Sequence, residues 1–226
     1  MKIKILIPVY NDWQSVLKLI DEINSLSFTS DFQVSIIIVN DASNHDRSDE
    51  EKAFENIQSI KILNMKKNQG HARCIATGLK YIFEKEDFDY VIPMDGDGED
   101  RPEEINEFLN QIQNSNGQPI VGERVKRSEN LIFQICYQLH KLITLTFTGK
   151  LIKFGNFTCL SKATVKKMIN EKATWNSFSG TLTKIESNLI AIPSIRATRY
   201  FGPSKMSFYN LINHSLSIIS VFRKIF

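Results

Sequence analysis

Residues 91–102 read Val91-Ile92-Pro93-Met94-Asp95-Gly96-Asp97-Gly98-Glu99-Asp100-Arg101-Pro102, a short apolar run that ends in four carboxylates within six residues, spaced by two glycines. The run has the length and composition of a buried strand. The glycines let the backbone turn sharply just past its end. Pro102 suits the first turn of a helix, which Glu103 and Glu104 favour by their charge. Asp95, Asp97 and Glu99 therefore gather at the carboxyl end of a strand, where open α/β sheets bind ligands. Carboxylates brought together repel one another, and oxygen-only ligands suit a hard cation, Mg²⁺ or Mn²⁺. Taken alone, the motif is equally compatible with a solvated acidic turn.

Working outward, the chain alternates strand and helix around this turn. Lys2–Val9 is an apolar run that predicts a first buried strand. Val16, Leu17, Leu19, Ile20, Ile23 and Leu26 then recur at helical spacing. Val34–Val39 is continuous and β-branched, as an interior strand requires. It ends in Asn40-Asp41-Ala42-Ser43. A polar helix is expected over Arg47–Asn56, a strand over Ile60–Leu63, and a turn at Asn68-Gln69-Gly70-His71 leading into a helix through about Phe83. Tyr90–Met94 is a fourth strand, Pro102–Gln113 a helix and Pro119–Gly122 a fifth strand. This alternation predicts a mostly parallel sheet with helices on both faces. Polar residues collect at one edge of it: Tyr10, Asp12, Asp41, then Asp95 to Glu99. The first strand is not followed by a dinucleotide-binding glycine fingerprint, and no P-loop is present.

The composition is that of an ordinary globular chain. The formal net charge of +3 hides an asymmetry: residues 1–121 hold 12 Lys/Arg against 21 Asp/Glu, and residues 122–226 hold 16 against 4. A basic half suggests an anionic partner, either phosphates or a membrane surface. A nucleic-acid partner is not expected, because aromatics are not interleaved with the basic residues as a stacking platform needs. Cys74, Cys136 and Cys159 are odd in number and lack metal-ligand spacing, which fits reduced thiols. Met1–Tyr10 reads as a strand and not as a signal peptide.

Beyond Gly122 the pattern changes. Leu131–Thr148 is apolar on most faces. A strand is expected over Phe157–Leu160, and helices over Lys162–Asn170 and Thr174–Ser187. Strands are expected over Leu189–Ile192 and Ile195–Tyr200, and an amphipathic helix over Ser207–Phe226. The longest uncharged run, Met206–Phe222, is too short and too polar to span a bilayer. With Arg223 and Lys224 it fits either a helix lying on a membrane surface or a helix packed on the core.

Six motifs resemble those of the family 2 glycosyltransferases, and among them the dolichol-phosphate mannose synthase-like, or polyprenyl-phosphate glycosyltransferase, group. They are Ile7-Pro8-Val9-Tyr10-Asn11-Asp12, Val39-Asn40-Asp41-Ala42-Ser43, Asn68-Gln69-Gly70-His71-Ala72-Arg73, Met94 to Pro102, Val121-Gly122-Glu123-Arg124, and Arg199-Tyr200-Phe201-Gly202-Pro203-Ser204-Lys205. They run in the family's order over about the whole chain. The resemblance implies a GT-A fold, a nucleotide-sugar donor of UDP or GDP type, a divalent metal and inversion at the anomeric carbon. It places Pro8, Tyr10 and Asp12 around the nucleoside, and Val39 and Asp41 at the base. Asp95, Gly96 and Asp97 become the metal-diphosphate motif, with Glu99 standing where mannose synthases have a metal-joining glutamine. Arg124, Arg199 and Lys205 match basic residues that handle the donor diphosphate and the acceptor phosphate.

The resemblance also divides the chain into a GT-A domain over 1–205, with a donor half at 1–122 and an acceptor half at 123–205, and an amphipathic segment over 206–226. The sequence departs from the pattern at Asn40, at Gly98-Glu99-Asp100-Arg101 and at Asn156-Phe157, so the sugar need not be mannose. Many membrane relatives continue into transmembrane helices past the point where this sequence stops at Phe226. Anchoring is then either peripheral or carried by sequence beyond it. The expected activity is metal-dependent sugar transfer to polyprenyl phosphate at the cytoplasmic face of a bacterial-type membrane. Transfer to a saccharide hydroxyl, or nucleotide-sugar binding without catalysis, are the alternatives. A lipid phosphate is already ionised near neutral pH and needs no general base, whereas a sugar hydroxyl does. Asp97, Arg124, Arg199 and Lys205 are the expected catalytic residues. His71 is expected to pack at a helix N-terminus.

Overall fold

A computed structural model describes residues 1–44, 53–126, 145–146, 149, 151–202 and 216–222. The chain runs β1 (Lys2–Val9), α1 (Trp13–Asn24), β2 (Gln33–Asn40), β3 (Ile60–Asn64), α2 (His71–Lys85), β4 (Tyr90–Pro93), α3 (Glu104–Ile112) and β5 (Ile120–Lys126). It continues with β6 (Phe154–Ser161), α4 (Lys162–Asn170), a 3₁₀ turn (Lys172–Trp175), α5 (Phe178–Ile185) and β7 (Ile190–Ile195). Among the described residues the strands form one seven-stranded sheet in the order β3-β2-β1-β4-β6-β5-β7. β1, β2, β3 and β4 are mutually parallel where they pair, and so are β5 and β7; β6 runs antiparallel to both its neighbours.

Period-two alternation within the apolar strands divides the core. Ile3, Ile5 and Ile7 of β1, with Val34, Ile36 and Ile38 of β2, point into a cluster covered by α1 and α3. Leu6, Ile37 and Val39 point the other way, under α2, α4 and α5. Because both faces are covered, these strands need no polar face, which is why they read as unbroken hydrophobic runs. β1 sits in the middle, between β2 and β4. Its carboxyl end, together with those of β2 and β4, makes the edge on which the acidic turn stands.

Several local expectations give way to tertiary contacts. Of the polar helix expected over Arg47–Asn56, residues 47–52 lie outside the described residues and 53–56 are not helical. The Asn56 amide N–H donates to Asn24 Oδ1 at 3.0 Å and its side chain donates to the Asn24 carbonyl at 2.7 Å, while Ile57 enters the core. The helix expected over Thr174–Ser187 is split. Ser177 accepts the Gly180 N–H at 3.2 Å and so caps a new helix at Phe178. The stretch Ile195–Tyr200 is not a strand: β7 ends at Ile195, and the chain crosses onto the acidic turn. Leu131–Thr148 lies mostly outside the described residues. Of Ser207–Phe226 only 216–222 are described; they are helical, with Ile218 and Val221 buried. Among the described residues no helix is long and apolar enough to cross a membrane.

Candidate active site

Three strand ends and one returning loop build the site. After β1, Asp12 turns its carboxylate away from the α1 amides: Ser15 Oγ donates to Oδ1 at 2.6 Å, and Arg199 Nη2 donates to Oδ2. After β2, Asp41 is buried, and its two oxygens accept the backbone N–H groups of Gln69 at 2.7 Å and Gly70 at 2.8 Å. It therefore clamps the turn that starts α2. Asn40 explains its own departure from the family's usual Asp. Its amide nitrogen donates to Asn64 Oδ1 at 2.9 Å, which a carboxylate cannot do, and its oxygen accepts the Ser43 N–H at 3.0 Å.

After β4 the acidic turn packs closely on β1. A Cβ on Gly96 would stand 2.8 Å from Val16 Cγ2 and 3.1 Å from the Pro8 carbonyl oxygen. Gly98 has φ +83°, and a Cβ there would fall 2.4 Å from the Tyr200 ring, so both glycines are required by space or by backbone. Asp100 lies beneath the turn, only 5% exposed, and accepts the Asp95 N–H at 2.9 Å. Burial, then the neighbouring Asp95 charge, pushes the Asp100 carboxyl up to about 7, against Arg196 and Arg124. Burial opposes ionisation of Asp95 too, but His71, Arg196 and Arg124 hold its carboxyl well below the usual carboxylate range.

The residues after β7 lie across this turn. The Ala197 N–H donates to the Glu99 carbonyl at 2.9 Å and the Tyr200 N–H to the Asp97 carbonyl at 3.0 Å. Arg199 Nη1 donates to Asp97 Oδ2 at 2.6 Å, so one guanidinium joins Asp12 to Asp97. Arg196 grips Glu99 through Nε and Nη2, and its Nη2 lies 3.6 Å from Asp95 Oδ2. Tyr200 donates its hydroxyl to Glu22 on α1, under the Lys18 ammonium, which stands 4.4 Å from the ring centroid. Burial, and then repulsion from Asp95 and Glu99, raises the Asp97 carboxyl in spite of Arg199.

The donor set is the test of a cation at this place. Asp95 and Asp97 offer hard oxygen donors, which fits Mg²⁺ or Mn²⁺. Glu99, expected as a third ligand, has its Oε2 held by Arg196 Nε and Nη2, and among the described residues no three acidic, His or Cys groups converge on one point.

The other expected residues divide as follows. Arg124 approaches the acidic turn closely enough to lower Asp95 and Asp100, and its guanidinium lies over Gly155, where a Cβ would come 2.6 Å from Nη2. Tyr10 is exposed at the β1 edge. Pro8 and Val39 are interior; Val39 is fully buried and faces α2, so it supports the edge from beneath and offers no side-chain surface to a base. Lys205 lies outside the described residues.

Three residues that were not among the expected site residues belong to the site; His71, which could approach a phosphate, was expected to pack at a helix N-terminus, and Asn156 stood out only as a departure from the family pattern. His71 Nε2 stands 3.2 Å from Asp95 Oδ1, and Asn156 Nδ2 lies 2.7 Å from that nitrogen and 3.4 Å from Asp95. Burial would lower the His71 imidazole, but Asp95 outweighs it and the net shift is upward. Arg196 is the third; its only signal in the sequence was a second arginine three residues before Arg199. Beside His71 a cavity of about 640 Å³ opens between α2, the 3₁₀ turn and residues 216–220, with Arg73, Trp175 and Leu216 on its walls.

A mostly parallel sheet whose carboxyl edge presents an Asp-x-Asp turn, faced by arginines that follow the last strand, defines a GT-A glycosyltransferase. The chain belongs to glycosyl transferase family 2, whose sequence model matches residues 4–175. Among curated proteins it is 27% identical over 229 residues to the undecaprenyl-phosphate 4-deoxy-4-formamido-L-arabinose transferase of Klebsiella pneumoniae (strain 342), covering 97% of this chain and 67% of the relative. The enzyme of the same name from Salmonella choleraesuis (strain SC-B67) matches over 230 residues, also at 27%. Among solved structures, glucosyl-3-phosphoglycerate synthase from Mycobacterium tuberculosis, in complex with Mn²⁺, UDP and glucosyl-3-phosphoglycerate, superposes with a TM-score of 0.68 at 12% identity, over 97% of this chain and 78% of that one. S. aureus TarS 1–349 in complex with UDP-GlcNAc gives 0.59 at 14% identity, over 98% and 71%. At these identities the structural likeness is one of fold.

Proposed function

We propose that this glycosyltransferase moves a sugar, with inversion, from a UDP- or GDP-type donor to polyprenyl phosphate at a membrane surface. The observation that carries the reading is the pairing of the Asp95–Asp97 turn with guanidinium groups from Arg199, Arg196 and Arg124. Breaking a sugar from a nucleoside diphosphate develops negative charge on the leaving diphosphate, and fixed cations in a water-poor cleft stabilise it. A divalent cation held by Asp95 and Asp97 supplies further Lewis-acid neutralisation when bound. Arg199, already oriented by Asp12 and Asp97, and Arg124 present planar donors that suit phosphate oxygens. Lys205 is assigned to the acceptor phosphate as a point charge.

The relatives named above support this acceptor, and so does the position of Asp100. Asp100 titrates near neutrality, yet its carboxylate is spent on the Asp95 amide inside the turn. A phosphate acceptor needs no such group. The basic half of the chain, taken as the acceptor half over 123–205 with a membrane-surface segment over 206–226, fits an anionic lipid surface. The test is transfer of radiolabel from UDP- and GDP-sugars into organic-extractable product with undecaprenyl phosphate in detergent. Label appearing in the lipid phase supports the reading. Label transferred only to soluble saccharides assigns a hydroxyl acceptor, and donor binding without turnover on any acceptor assigns a non-catalytic role.

A further inference from the structure

The Glu99–Arg196 pair is built more firmly than a surface ion pair. Arg196 reaches Glu99 with both Nε and Nη2, which converge on the one oxygen Oε2. The side chains are only 21% and 17% exposed. The backbone on either side of Arg196 is fastened. The Ile195 N–H donates to Glu104 Oε1 at 2.8 Å, and the Ala197 N–H donates to the Glu99 carbonyl at 2.9 Å. Glu104 itself is buried, and its other oxygen has no partner, so its one bond holds the chain where it leaves β7. The guanidinium is thus delivered to one place, 3.6 Å from Asp95 Oδ2, before any ligand arrives.

We propose that Glu99 is the holder of Arg196 and not a metal ligand, and that Arg196 is a binding residue for the donor diphosphate, a built-in cation beside the one held by Asp95 and Asp97. The inference rests on the reading of this edge as a diphosphate site. It follows from charge and from valence. Arg196 Nε and Nη2 both meet one oxygen of Glu99, Oε2. With that oxygen engaged, Asp95 and Asp97 would be the two carboxylates of a divalent ion, which leaves positions for phosphate oxygens and water, the arrangement Mg²⁺ prefers. Arg196 Nη2 also lies 3.6 Å from Asp95 Oδ2, so the guanidinium stands beside a carboxylate that would hold the ion and would meet the donor diphosphate there. Glu99 and Glu104 are then positioning residues that act through Arg196.

The experiment measures two affinities on the full chain. Mn²⁺ binding in the presence of UDP or GDP is read from the electron paramagnetic resonance signal of free Mn²⁺, and nucleoside-diphosphate binding in EDTA is read by calorimetry. Glu99→Ala is expected to keep Mn²⁺ affinity within about threefold of wild type, while Asp97→Ala loses about tenfold or more. In EDTA, Arg196→Ala and Glu99→Ala each weaken UDP or GDP by about tenfold, and the double variant is no worse than either alone. The Glu99→Gln/Arg196→Gln double, which keeps a neutral hydrogen-bonded pair, covers the case in which a single variant fails to fold; it too should lose metal-free affinity. Glu99→Ala losing Mn²⁺ as fully as Asp97→Ala overturns the proposal, as does unchanged metal-free binding in Arg196→Ala or in the double Gln variant, or no metal-free binding by wild type. Mn²⁺ binding that survives Asp97→Ala overturns the metal reading instead, and leaves the metal-free comparison to decide Arg196.

Discussion

Replacing Arg199 with Ala should unmask the charge that the site stores. Arg199 is 12% exposed, and the Asp12 and Asp97 side chains it joins are each 19% exposed. Removing one partner of a buried ion pair costs about 3–5 kcal/mol, because the remaining charge is left desolvated and unpaired. Both carboxylates here keep some contact with water, so about 2–3 kcal/mol is the better figure. For a chain of this length, that corresponds to a melting temperature lower by roughly 5–10 °C. The pH dependence has a definite sign. Asp97 already binds its proton more tightly in the folded protein than in the unfolded chain, through burial and repulsion from Asp95 and Glu99. Losing Arg199 raises it further. A raised folded value costs stability as pH rises through it, so the deficit should be full above that value and shrink as pH falls through it, as Asp97 takes up its proton. Mn²⁺ with UDP or GDP should also restore part of the loss, since the cation supplies the missing positive charge. The assay is differential scanning fluorimetry of wild type and variant across pH, with EDTA and with Mn²⁺ plus nucleotide. A variant that melts within about 1 °C of wild type, or a deficit that does not change with pH, would refute the reasoning.

Other perturbations test separate parts of the account. Gly98→Ala puts a Cβ into the Tyr200 ring at a residue with φ +83°, so it should cost about 1–3 kcal/mol and release Tyr200 from Glu22, seen as a lowered melting temperature. Burial, with Asp41 nearby, pushes the Cys74 thiol up to about 12, and burial raises Cys159 as well. Neither should react with a disulfide reagent at pH 7.5 until the chain is unfolded, which thiol mapping by mass spectrometry will show. Burial would raise Glu86, but Lys61 and Lys4 hold it below its ordinary value of 4.5. Its contribution is present above that value and lost as pH falls through the lower, folded one. Glu86→Gln should therefore flatten the acid limb of the stability curve, measured by urea unfolding between pH 3 and 6.

What the sequence made legible was whatever burial forces on composition. β1, β2 and β4 are covered on both faces, so their apolar runs marked them to within a residue or two. Lys162–Asn170 was bounded by its own cap: Ser161 accepts the Thr164 N–H. The acidic turn was legible because its glycines and carboxylates are local. Contacts that join distant segments were not. Glu99 and Arg196 are 97 residues apart, and nothing near Glu99 announces that it holds an arginine. Ile195–Tyr200 has the composition of a strand, yet the N–H groups of Ala197 and Tyr200 go to the carbonyls of the acidic turn, so the sheet ends at Ile195. Asp41 was expected to face a base; its two oxygens are instead taken by the Gln69 and Gly70 amides. His71 was expected to pack at a helix end. It does start α2, but Asp41's clamp on the preceding turn also brings its imidazole to Asp95.

The central claim is that the Asp95–Asp97 turn handles the leaving diphosphate. The most direct measurement is the initial rate of sugar transfer to undecaprenyl phosphate by wild type and Asp97→Ala, each in Mn²⁺ and in EDTA. A fall of about 10³-fold in Asp97→Ala, with wild type in EDTA falling comparably, is the predicted result. An Asp97→Ala enzyme that turns over in Mn²⁺ at the wild-type rate, or a wild type that keeps its full rate in EDTA, would contradict it.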